Sequence, residues 1–104
     1  MLEINFEFRK GIFFIRLIGN LKNQNYIPED EKIKSLILEN KFKYIVINTN
    51  YLENVDLDGL NYLLEIFYIT TRNQSNLVIC DKNNIFKRLL NNNIPSIKDE
   101  LEVL

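Results

Sequence analysis

Asp56 and Asp58 stand two positions apart, between a polar stretch that opens at Thr49 and apolar positions that recur from Leu60. Carboxylates so placed are what general acid–base chemistry or a divalent cation would use. This pair brackets a helix start and no third ligand accompanies it, so neither an enzyme site nor a metal site is expected from it. Lys82, Lys87 and Arg88 form a short basic patch, read as the solvated face of a helix. Cys80 ends an apolar run and reads as a small core residue, not a redox centre.

What is missing narrows the chemistry further. The 104 residues include no His and one Cys, which excludes a zinc site built on His or Cys, a Ser-His or Cys-His catalytic pair and an intramolecular disulfide. No nucleophile–base pair can be assembled from the carboxylates, hydroxyls and amines that remain, so a binding function without catalysis or cofactor is expected. With 13 basic and 14 acidic residues the formal charge is -1, and no nucleic-acid footprint is visible. Hydrophobic residues at 46% and charged residues at 26% place the chain among soluble folded domains, and its length suits one domain over 1–104. The longest apolar stretch, Ile12 to Ile18, is interrupted by Arg16, and Glu3 and Glu7 sit where a secretory signal would be basic and then apolar. A cytoplasmic protein without membrane insertion is expected. The chain has no Ala and many Ile, Asn and Lys, a bias that AT-rich coding also produces, so single Asn residues carry little weight.

The elements that must position the aspartates follow from periodicity. Leu2, Ile4, Phe6 and Phe8 alternate with Glu3, Asn5 and Glu7 as in a strand with one wet face. Arg9-Lys10-Gly11 reads as a tight turn, and Ile12 to Ile18 as a second strand buried on both sides, stopping at Gly19-Asn20. Gly19 to Tyr26 reads as a loop. Pro28 with Glu29, Asp30 and Glu31 suits the first turn of a helix over 28–40 whose inner face carries Ile33, Leu36 and Ile37. Tyr44 to Asn48 is a central strand, and Thr49 to Asp58 a polar connection. Leu60, Leu63, Leu64 and Phe67 recur at helical spacing to about Thr71, with Asp58 placed to cap that helix by accepting from Leu60 or Asn61 N–H. Leu77 to Cys80 is another strand. Ile85, Phe86, Leu89 and Leu90 mark a third helix, ended at Asn91-Asn92-Asn93. Ile97 suggests a last short strand, and Asp99 a cap for a terminal turn. The order predicts an α/β fold, a mixed four- to five-stranded sheet with helices packed on it and right-handed crossovers between its parallel strands. Its expected core is Ile15, Ile45, Ile47, Leu63, Phe67, Ile79 and Leu89.

Ile45 to Leu60 reads IVINTNYLENVDLDGL, which resembles the signature of the STAS domain, the family of bacterial anti-sigma-factor antagonists and of the cytoplasmic domain of sulfate transporters. That signature has an apolar strand ending in Asp, a polar loop, an apolar-Asp pair, two small hydroxylic residues, then Gly-Leu opening a long helix. Val55-Asp56 and Gly59-Leu60 fit, and Gly19-Asn20-Leu21 resembles the family's Gly-x-Leu loop. Asn48 stands where the family has the strand-terminal Asp, Leu57 replaces the first hydroxylic residue, and Asp58 occupies the place of the Ser or Thr phosphorylated by the partner kinase. A response-regulator receiver, the nearest competing α/β fold, would need carboxylates where Asn20 and Asn48 stand.

The resemblance implies a partner-switching protein that docks on an anti-sigma factor or a related ATP-binding regulatory kinase. Its expected docking residues are Gly19, Asn20, Asp56, Leu57, Asp58 and Gly59, and it is expected to be a monomer or weak dimer. Tyr51, Leu52 and Leu57 are candidates for exposed apolar contacts, Leu57 pointing outward because family members present a small residue to the partner there. A phosphoserine carries about -1.5 to -2 charge, which helix N–H groups hold. An aspartate supplies about -1 in the same place, so Asp58 is either a permanent phosphate mimic, an ordinary N-cap, or both. Two other functions stay open: the small subunit of an ABC-type lipid or solute transporter, and a phosphotransfer protein with Asp58 as acceptor.

Overall fold

Lys10 and Gly11 both have positive φ, 53° and 79°, as a two-residue type I′ turn requires. They join β1 (Leu2–Arg9) to β2 (Ile12–Leu21) as an antiparallel hairpin in unbroken register from Leu2↔Gly19 to Arg9↔Ile12. The computed structural model describes residues 2–22, 27–90 and 94–104. After the hairpin come α1 (Asp30–Glu39), β3 (Tyr44–Val55), α2 (Leu57–Arg72), β4 (Leu77–Cys80), α3 (Ile85–Leu90), β5 (Ser96–Ile97) and a terminal 3-10 turn, Glu100–Val103. The sheet order is β1-β2-β3-β4-β5, with all pairs after the hairpin parallel.

The two faces of β2 enter different cores, because successive side chains point to opposite sides of a strand. Phe13, Ile15 and Leu17 join Ile45, Ile47 and Ile79 beneath Ile33 and Ile37 of α1 and Leu63 and Ile66 of α2. Ile12 and Phe14 join Val46, Val78 and Cys80 on the reverse face, where Val103 of the 3-10 turn packs. That turn is held by a full capping box between Asp99 and Glu102. Arg16, which interrupts the apolar run, anchors it: its guanidinium donates to Glu100 Oε1 and Oε2 at 2.7 and 2.8 Å and to Glu7 and Asn5 of β1.

Several expectations need correction. Phe67 is partly buried at the core margin, and Leu89 is 58% exposed, because the six-residue α3 turns Phe86 inward instead. The first helix begins at Asp30, since Glu29 takes a left-handed conformation, φ 61°, as its N-cap. β2 continues past Gly19-Asn20 to Leu21, with register shifts between Arg16 and Ile18 and between Gly19 and Asn20. β3 likewise runs on to Val55 where a loop was expected. Backbone pairing with the end of β2, as Gly19↔Leu52, Asn20↔Asn54 and Leu21↔Val55, needs no apolar side chains. Asn91 to Asn93, part of the Gly19–Tyr26 connection and the side chains of Lys87 and Leu90 lie outside the described residues; Lys82 and Arg88 are exposed.

Candidate functional site

The end of β2 sets the position of the α2 N-terminus. Asp56 N–H donates to Leu21 O at 3.3 Å, and Gly59 sits so close to that strand that a Cβ on it would lie 2.1 Å from Leu21 O. Glycine is required there by the approach of two backbones. Asp56 is the N-cap: its extended backbone precedes the helix and its Oδ1 accepts from Gly59 N–H at 2.9 Å, while its carbonyl accepts from Leu60 N–H at 3.0 Å. The expectation that Asp58 caps the helix is therefore corrected. Asp58 is the second helical residue, and the N–H of Leu60 assigned to it is taken by Asp56.

Leu57 and Asp58 are the two exposed residues of this first turn, Leu57 at 71%. Among the described residues Asp58 makes no hydrogen bond or ion pair, so its carboxylate stands in solvent beside the unsatisfied end of the helix. Asn20 lies alongside, its Oδ1 accepting from Asn54 Nδ2 at 2.8 Å. Gly19 takes φ 102° at the bulge that bends β2 toward the helix. The expected residues Gly19, Asn20, Asp56, Leu57, Asp58 and Gly59 thus come together where β2 and β3 end, with Tyr51 exposed at 59% nearby on β3 and Leu52 half-buried against the core. Gly19, Asp56 and Gly59 shape the backbone, whereas Leu57 and Asp58 offer side chains.

Beyond Asn48, β3 has lost β4 as a neighbour, and side chains take over the lateral bonds. Thr49 Oγ1 donates to Cys80 O at 2.9 Å, and Asn50 bridges Lys98 O and Lys82 N–H. Asn48 itself is buried and donates to Glu100 Oε2 at 2.7 Å. The role of these asparagines was not legible: apart from Asn48 Oδ1, which accepts from Asn50 N–H, their side chains meet groups at least thirty residues away in sequence. The neighbouring Arg16 guanidinium holds the Glu100 carboxyl below its ordinary value, with help from Asn48. Burial, reinforced by the carboxylates of the terminal turn, pushes the Cys80 thiol up to about 11, so the thiolate that reactive cysteines need is disfavoured.

No group of His, Cys, Asp and Glu side chains suited to a metal occurs among the described residues, and no described helix is long and apolar enough to cross a membrane. The arrangement offers instead a capped helix N-terminus with one apolar and one anionic side chain turned outward.

Comparisons with known proteins bear on the same elements. An anti-sigma F factor antagonist of Paenibacillus polymyxa is 25% identical over 89 residues, which make up 86% of this chain and 76% of that protein. The unphosphorylated form of the anti-sigma factor antagonist SpoIIAA superposes with a TM-score of 0.77 at 14% identity, covering 99% of this chain and 93% of that one. An anti-sigma factor antagonist from Mycobacterium paratuberculosis superposes with a TM-score of 0.72 at 14% identity, covering 98% and 90%. The phosphorylated form of the Bacillus SpoIIAA gives 0.73 at 16% identity over 97% and 96%. A model of the STAS domain matches residues 3–94, which takes in the Gly-x-Leu bend, the extended β3 and the glycine seated under α2, and the chain belongs to the STAS domain family.

Proposed function

We propose that this chain is an anti-sigma-factor-antagonist-like regulator that acts by binding, docking on an anti-sigma factor or a related ATP-binding kinase through the α2 N-terminus, with Asp58 as a built-in substitute for a phosphorylated Ser or Thr. The observation that carries the reading is the division of labour at that turn. Asp56 does the capping, so Asp58 is left exposed at the second position of α2 without a structural task among the described residues. A carboxylate there gains from the helix dipole as a phosphate would. Likeness to an anti-sigma F factor antagonist supports the partner class, and a relative solved in both phosphorylated and unphosphorylated forms supports a charge-dependent switch.

The sign of the switch follows from electrostatics. If the partner prefers this position uncharged, Asp58→Ser tightens binding by about 1–3 kcal/mol when the carboxylate is desolvated in the interface. The same variant should become a substrate of the kinase, whereas the parent chain should not. Isothermal titration of both proteins against the cognate kinase, with phosphate incorporation measured in parallel, tests both halves. An unchanged dissociation constant ends the mimic reading and leaves the partner class standing. Co-purification with a transporter ATPase in place of a kinase would overturn the partner class as well.

A further inference from the structure

We propose that the free edge of β1 pairs with the same edge of a second copy of this chain, antiparallel about a two-fold axis through Phe6, so that two five-stranded sheets become one. This interface uses none of the α2 N-terminal residues and does not depend on the antagonist reading. β1 is the outermost strand, eight residues long and paired with β2 without any register shift. Natural edge strands are usually protected by charged side chains, Lys above all, by Pro, by a bulge or by shortness, and the charges that β1 carries, Glu3, Glu7 and Arg9, are of both signs. β1 contains no Lys, Pro or bulge, and it is not short.

Hydrogen-bond parity and charge select one register. In a two-residue hairpin the residues flanking the loop, Arg9 and Ile12, form a bonded pair. Backbone groups alternate along a strand, so Arg9, Glu7, Asn5 and Glu3 direct theirs to β2, and Phe8, Phe6, Ile4 and Leu2 direct theirs outward. An antiparallel partner must then place even residues opposite even ones, which also keeps the helices of both copies on one side. With the axis through Phe6, Ile4 of one copy faces Phe8 of the other, and Glu3 faces Arg9 twice. Asn5 faces Glu7, and because its Oδ1 already accepts from Arg16, its amide N–H is the group turned to that carboxylate. Shifting by two in one direction sets Glu3 against Glu7, and in the other sets Glu7 against itself. Glu3 and Arg9 are exposed and make no ion pair among the described residues.

The apolar side of the ladder agrees. Phe8 is 65% exposed, with its ring 5.2 Å from that of Phe42. It lines a groove of about 380 Å³ between β1 and α1 together with Phe6, Leu36 and Lys32. In the proposed register Ile4 of the second copy lands beside Phe8, at this groove.

Sedimentation equilibrium from micromolar to millimolar concentration tests the pairing. The parent chain should dimerise, and Glu3→Arg or Arg9→Glu alone should raise the dissociation constant at least roughly tenfold, because the symmetry repeats each clash. An equimolar mixture of the two variants should dimerise again, since every Arg then meets a Glu. That recovery also shows that both variants are folded. Ile4→Pro removes an outward N–H and should abolish the dimer while β1 still pairs with β2. A parent chain that stays monomeric throughout, or a dimer whose dissociation constant neither charge reversal changes, overturns the proposal.

Discussion

Asp56 and Asp58 are the same residue type two positions apart, and the structure gives them opposite duties. Removing the cap with Asp56→Ala should cost about 1 kcal/mol, whereas Asp58→Ala should stay within roughly 0.5 kcal/mol because its side chain is exposed and unbonded; urea unfolding of the two variants makes the comparison. Gly59→Ala should destabilise by about 1–3 kcal/mol, since the new methyl meets the Leu21 carbonyl at 2.1 Å and backbone must move. The reading of an aspartate cap before a helix was right in kind and wrong in position. Either aspartate satisfies the local pattern, and the close approach of Gly59 to β2 decides between them. Asn48 gives a third case. Asn48→Asp would replace the donor to Glu100 with a second carboxylate, and a loss of about 1–3 kcal/mol at neutral pH is expected, recovering as acid neutralises one of the two.

At the scale of elements, the terminal 3-10 turn is held to the sheet by Arg16 and Glu100 more than by apolar area, since Leu101 is 75% exposed and Val103 is its apolar contact with the reverse-face core. The pH dependence follows from the lowered Glu100 carboxyl. A carboxyl whose folded value lies below its unfolded one adds stability that is complete above the unfolded value, ordinarily 4.5 for Glu, and is lost as pH falls through the folded value. Stability should therefore decline on acidification below that ordinary value, and Glu100→Gln should flatten this part of the profile, as denaturant titrations across the acid range would show. The strands and helices with strong periodicity were legible, including the all-apolar β2 that serves two cores. The outer half of β3 was not, because it is held by main-chain bonds to a bent β2 and by Thr49 and Asn50 reaching sideways, none of which requires an apolar pattern. Glu29 in its left-handed turn likewise escaped a rule that favours Pro at the first helical position.

Across the whole molecule, two long helices cover one face of the sheet and a four-residue turn serves the other. Cys80 lies on the thinly covered side, fully buried, so a thiol reagent at neutral pH should label it only through opening events. Labelling should quicken in Glu100→Gln, where the turn is less firmly held. The half-paired end of β3 carries a further implication, for how the sheet breathes. Amides of residues 45–48 have a strand on each side, and their exchange with deuterium should require global unfolding, whereas residues 51–55 pair with β2 alone and should exchange through local unfolding of far lower free energy. The segment that delivers Leu57 and Asp58 to the surface is thus the least protected end of the central strand. A partner seated there would slow exchange along residues 51–55 before it touched any amide of the core, and that slowing would record docking in a region the partner need not contact.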